Sequence, residues 1–472
     1  MKIKKEILCA LIIFIITFGL CACFGGNEEI DSDVSSISQI ADVKEEPQLS
    51  THVDSEVSKS ESSEINSQKE AESVIREEVS ESVPETVSES ESEIESESVS
   101  TAETEREPLS EPETQSEIEI IENSDETAEI SVNAEAEMRG VWINYLSLSS
   151  GSESEFKTKF TSLAQKAKDR GITDVFVHVR PFMDSMYKSE NFPISHIITG
   201  TQGADISFDA LKFMIEVTHG MGMKFHAWIN PLRIKTSATP KVMSEDNVYN
   251  KYIESDPYFF IESDSGIILN PAYSFTRELV SDGIREIVAN YDVDGIHFDD
   301  YFYPENYDAE NDGAYLNYKE NTENPLSGNQ WMQANINSLI SICYQAAKSS
   351  GKEVLFGISP QGNIDNNLKI GANTTLWCET KGYIDYICPQ IYWSYDNPAL
   401  GFSEALETWM SINHHDELDV YIGLALYKIG TDSDSNTWGD GALIIERQEK
   451  DAVTSGAQGF LYYEISHFDK LN

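Results

Sequence analysis

Eight short runs rich in β-branched and aromatic residues recur along the C-terminal part of the chain, and that recurrence limits its possible folds more than any other feature. They read "RGVWINY" from Arg139, "DVFVHVR" from Asp174, "KFHAWIN" from Lys224, "GIHFDDY" from Gly295, "VLFGISPQ" from Val354, "YICPQIYW" from Tyr386, "VYIGLALY" from Val420 and "GFLYYEIS" from Gly459. Helical patterns over residues 155–170, 208–219, 276–290 and 331–348 separate several of them, some with a glycine at the C-terminal end. Alternating strand and helix predicts an α/β domain, and eight units predict a (β/α)8 TIM barrel. A doubly wound sheet is disfavoured because no GxGxxG follows the first strand. Only "HFDKLN" follows the eighth strand, so the last barrel helix is expected to be missing or replaced. Residues 235–268, after the third strand, and 303–328, which open on Tyr303 after the fourth, are expected as long loops on the substrate-binding side.

Side chains alternate across a strand, so one parity should face the helices and the other the barrel interior. In the second strand Val175, Val177 and Val179 share one face, which leaves His178 and Arg180 on the other. The third strand opposes Phe225, Ala227 and Ile229 to His226, Trp228 and Asn230, and the fourth opposes Ile296 and Phe298 to His297 and Asp299. The same rule turns Asn144, Gln390, Tyr392 and Glu464 inward from the first, sixth and eighth strands. All lie toward the carboxyl ends of their strands, where barrel active sites are built.

These residue types narrow the chemistry. Carboxylates among aromatics, amides, His and Arg suit a carbohydrate, whose ring faces stack on aromatics and whose hydroxyls need mixed donors and acceptors. Cleaving a glycosidic bond requires one carboxylic acid to protonate the leaving oxygen and one carboxylate to attack or to activate water. Trp142, Trp228, Tyr392 and Trp393 are expected to line sugar subsites. No P-loop or basic cluster suggests phosphate chemistry. Parity places His178, His226 and His297 below the mouth, so they are expected to orient site residues or meet sugar hydroxyls rather than hold a metal, and no cofactor is expected.

The chain's 472 residues carry a net charge of −49, of which roughly −30 lies in residues 23–137. There Ser and Glu alternate in runs such as "SESESEIESESVS", a composition that buries too little apolar surface to fold. Residues 23–136 are therefore expected to form a disordered acidic tether spanning roughly 60 Å as a flexible chain. Before it, Lys2, Lys4 and Lys5 precede "ILCALIIFIITFGL", the layout of a secretory signal over residues 1–22. "LCAC" at residues 20–23 resembles a bacterial lipobox, which would make Cys23 the lipidated first residue of an extracytoplasmic lipoprotein, held at the outer face of the membrane. Such a tether would repel nucleic acid. Of six cysteines only Cys343, Cys378 and Cys388 lie in the domain, with no metal spacing, and buried free thiols are expected, although Cys378 and Cys388 could pair.

The motifs "RGVWINY", "VFVHVRPFMDSMYKSENFPISH", "HAWINPLR", "LNPAYSFTRELVSDGIREIVANYDVDGIHFDDYFYP" and "CPQIYW" resemble the glycosyl hydrolase-like 10 family from Met138 to about Phe468, within a barrel domain expected over residues 137–472. The resemblance implies a barrel of an exported protein that hydrolyses glycan, with cell-wall peptidoglycan strands as the substrate class. A more distant similarity, to retaining glycosidases with a D-G-x-x-x-D fourth strand, falls on Asp294, Gly295 and Asp299 and implies Asp299 as nucleophile or base. For the general acid Asp300 ranks first, then Glu464, then Asp184. The expected partners are a polysaccharide and the membrane, with the protein a monomer. A non-catalytic carbohydrate-binding or scaffold lipoprotein is the competing class, and a deacetylase or metal-dependent hydrolase the third.

Overall fold

The structure, a computed structural model, describes residues 136–431 and 433–471. The signal-like segment, Cys23 and the acidic tether lie outside the described residues. In chain order the strands are β1 (Met138–Ile143), β2 (Asp174–Arg180), β3 (Lys224–Ile229), β4 (Arg233–Thr236), β5 (Phe260–Ser263), β6 (Gly266–Leu269), β7 (Gly295–Phe298), β8 (Leu355–Ile358), β9 (Tyr386–Ile387), β10 (Asp419–Ala425) and β11 (Gly459–Tyr463). Eight of them, each parallel to its neighbours, close a barrel in the order β1-β2-β3-β7-β8-β9-β10-β11, and β11 pairs back onto β1. All eight strand signals in the sequence are barrel strands.

The longer helices are α1 (Glu153–Asp169), α2 (Ala210–Gly220), α3 (Ser274–Asn290), α4 (Gly328–Lys348), α5 (Phe402–Met410) and α6 (Leu443–Thr454). Helix α1 shows the local logic. The Ser152 hydroxyl accepts from the Glu155 N–H, acidic residues occupy the first turn and lysines the last, and Phe156, Phe160, Ala164 and Ala167 form one buried stripe. Helix α4 begins with a capping box between Ser327 and Gln330.

The expected loop after β3 folds instead as a three-stranded antiparallel sheet, β4-β6-β5. The expected loop after β7 contains a helix at Gly313–Asn321. Among the described residues no α-helix follows β11. A 3-10 segment, Ile465–Leu471, takes its place and buries Ile465 and Phe468 completely.

Two apolar clusters follow the two parities. Val141, Val175, Val177, Ala227 and Ile296 belong to the layer between strands and helices. Met138, Trp142, Phe176, Trp228, Tyr386, Cys388, Tyr421 and Leu461 fill the barrel. Rings this large fit because glycines face them. A Cβ on Gly295 would lie 2.2 Å from His226 Nδ1, and one on Gly357 would lie 2.2 Å from the Tyr386 ring. The barrel is thus a packed plug that supports whatever sits at its carboxyl mouth. Cys343, Cys378 and Cys388 are all buried and free.

Candidate active site

Burial governs the deepest layer. His226 Nε2–H donates to Asp174 at 2.9 Å and its ring stacks on Phe176. Burial would raise the Asp174 carboxyl, but its contacts, led by the His226 hydrogen bond, hold it below its ordinary value. One layer up, Trp142 Nε1–H donates to His297 Nε2 at 3.1 Å. The proton on His297 therefore sits on Nδ1, which faces the Tyr386 hydroxyl at 2.9 Å. Burial keeps His297 neutral by lowering its pKa well below the usual value.

On this support stands Asp299, 2% exposed just beyond the end of β7. Trp228 Nε1–H donates to Oδ2 at 3.0 Å, and Asn230 Nδ2 lies 3.1 Å from both carboxylate oxygens. Trp228 is itself fixed by stacking on His178, with ring centroids 3.5 Å apart. Burial pushes the Asp299 carboxyl up to about 7, opposed first by Arg233 and reinforced by Asp300. Asp300 is raised as well, chiefly by burial, and its Oδ1 accepts from Gln390 Nε2 at 3.2 Å.

Above these groups opens a cleft of 640 Å³. Asp300, Glu464 and Gln390 line it together with Asn144 and four tyrosines, Tyr301, Tyr392, Tyr427 and Tyr463. Tyr392 and Tyr463 lie 5.7 Å apart by ring centroid, and Tyr301 is 54% exposed, so ring faces are offered to a ligand. The hydroxyls of Ser147 and Ser466 donate to the two oxygens of Glu464. Asn144 accepts from the Ser147 N–H and so fixes the turn that holds this serine. The arrangement sets Asp300 and Glu464 against stacking rings, with Asp299 buried next to Asp300 and outside the cleft lining, a set of carboxyl groups compatible with glycoside cleavage.

Several residues expected at the site lie elsewhere. A bulge in the β2–β3 pairing between His178 and Arg180 breaks the alternation and turns Arg180 outward. Its guanidinium packs 3.7 Å from the Phe192 ring centroid and against Gly283 of α3, behind the barrel wall. Asp184 is fully buried in a separate network, where Gln202 Nε2 donates to it at 3.0 Å and His196 Nδ1 lies at 3.3 Å. Tyr303 turns into the helix layer, stacks on Tyr307 and meets Asn335 of α4. The Trp393 ring packs on Gly362 rather than facing the cleft. Trp142, His226 and His297 are at most 1% exposed, so they act from within the barrel and not as sugar contacts.

Other residues emerge only from the structure: Arg233, Tyr301, Tyr427, Tyr463 and His467. Tyr427 ends the seventh strand signal and Tyr463 lies within the eighth; they share the parity of the interior residues Tyr421 and Leu461, so alternation counted from those residues could have found both. Arg233 ends the motif "HAWINPLR" but lies past the strand, where parity gives no direction. Among the described residues no group of three or more His, Cys, Asp or Glu side chains could hold a metal ion.

Known proteins are similar to this chain in sequence. It is 30% identical to a protein of Bacillus subtilis (strain 168) named glycosyl hydrolase YngK, over 72% of this chain and 70% of the relative. It is 31% identical to glycosyl hydrolase DigH of Escherichia coli (strain K12), over 56% of this chain and 64% of the relative. The PgaB (BpsB) glycoside hydrolase domain from Bordetella bronchiseptica overlays 71% of this chain and 96% of its own length, with a TM-score of 0.49 and 12% identity. The family model described as glycosyl hydrolase-like 10 matches residues 137–440, and the chain belongs to that family, whose name states its reaction class, glycoside hydrolysis.

Proposed function

We propose that this glycoside hydrolase cleaves a cell-wall polysaccharide of the peptidoglycan type, with Asp299 as nucleophile or base and Asp300 as general acid. The observation that carries this reading is the pairing at the end of β7. Asp299 receives hydrogen bonds from Trp228 and Asn230, as a carboxylate should, while Asp300 lines the tyrosine-walled cleft, where it can reach a leaving-group oxygen. Glu464, fixed by two serines, accepts from sugar hydroxyls. The family membership supports the reaction class. The basic and apolar N-terminus, the lipobox at Cys23 and the acidic tether support placement at the outer face of the membrane.

Incubating the purified protein with glycan strands, with and without peptide stems, tests the activity through new reducing ends read by mass spectrometry. Cleavage that falls at least about a thousandfold in Asp299→Asn is expected. Binding without turnover, or cleavage that survives the substitution, overturns the assignment. For the location, a metabolic fatty-acid label should appear on the intact protein and vanish in Cys23→Ala.

A further inference from the structure

A buried carboxylate that must stay ionised needs more than neutral donors. Those that reach Asp299 are the Trp228 indole, the Asn230 amide and, at 3.5 Å, the backbone N–H of Tyr301, all uncharged. We propose that Arg233, packed against Tyr301, is a positioning residue whose charge favours the ionised form of Asp299 without contacting substrate. This rests on the reading of Asp299 as nucleophile or base.

Arg233 is held from several directions. Its Nε donates to the Pro181 carbonyl at 2.9 Å, and its backbone N–H donates to Asn230 Oδ1 at 3.1 Å. That second bond fixes the Asn230 amide whose Nδ2 reaches both oxygens of Asp299. The guanidinium lies over three rings, Tyr301 at 4.9 Å, Phe182 at 5.1 Å and Tyr145 at 5.9 Å. Its Nη2 is buried with no hydrogen-bond partner among the described residues. The cage keeps water away, so the charge acts through a medium of low polarity.

The groups around Asp299 leave Arg233 as the cation opposing burial. Asp300 of the same loop pushes the Asp299 carboxyl up, whereas Arg233 is first among the groups that pull it down, and it also lowers Asp300. His178 of β2 and His297 of β7 are both held neutral, while burial drives the Tyr301 and Tyr463 phenols up to about 12. Arginine suits this task because its charge persists under desolvation, which a lysine's would not. Tyr301 links the device to the ligand: its ring covers Arg233, and the residue also lines the cleft. A sugar stacked there would seal the cage further.

The test titrates Asp299 directly, in substrate-free protein, from the infrared band of its protonated carboxyl in wild type minus Asp299→Asn. In Arg233→Gln the midpoint should rise by about one unit or more, and Arg233→Lys should fall between. The acid limb of kcat/KM against pH on the cleaved glycan should move by the same amount. A purely structural role would lower melting temperature and activity and leave the midpoint in place, which overturns the proposal. Should Arg233→Gln not fold, Arg233→Lys decides: its midpoint should lie above that of wild type, and no change overturns the proposal. If wild type cleaves no glycan, the enzymatic reading fails while the infrared titration still settles Arg233.

Discussion

Asp299, the proposed nucleophile or base, also weakens the fold, because burial penalises its charged form. Its folded pKa of about 7 lies above the value of about 3.9 in an unfolded chain. Between those values the native state binds a proton that the unfolded state does not, so stability falls as pH rises through the window and levels off above it. Asp299→Asn removes this term. Its gain should be near zero at pH about 4, grow to pH about 7 and then stay flat, reaching about 4 kcal/mol. Denaturant melts of both proteins across that range check it, and a pH-independent difference would contradict the burial argument. Activity should show the converse: below pH about 7, kcat/KM should fall about tenfold per unit as the carboxylate is protonated.

At the level of elements, the regular parts of the barrel were legible in the sequence and the irregular ones were not. Alternation in β3 and β7 placed Trp228, Asn230, His297 and Asp299 on one side because those strands keep their pleat. In β2 the same rule failed at Arg180, where a bulge spends one residue without advancing the register. Tyr303, Asp184 and Trp393 failed for another reason. They lie on loops whose direction is set by neighbours distant in sequence, Asn335, Gln202 and Gly362 respectively. Two strand glycines carried a signal of their own, since Gly295 and Gly357 each mark a ring on a neighbouring strand. Gly357→Ala should therefore destabilise the barrel by about 3 kcal/mol, because its methyl would enter the Tyr386 ring. The ring cannot retreat without breaking the Tyr386 contact to His297. Thermal and denaturant melts measure the cost, and a loss within about 0.5 kcal/mol would show that the interior is looser than its packing implies.

For the whole molecule, charge is the dominant long-range property. The first 137 residues carry −28 and the remaining 335 carry −21, so the catalytic domain is itself strongly anionic. Two carboxylates, Asp300 and Glu464, line the cleft. If the substrate is an acidic cell-wall glycan, encounter occurs against a repulsive field that falls off over about 10 Å at 0.1 M salt. Raising salt from about 0.01 M to about 0.15 M should then lower KM several-fold with little change in kcat, because screening acts on approach and not on the enclosed carboxyl pair. A neutral amino-sugar polymer should show almost no such dependence. Steady-state kinetics on both substrates over that range distinguish the cases. A KM that is flat with salt on the acidic glycan would mean that the field at the mouth is not negative, and a KM that rises would point to cationic recognition of the glycan.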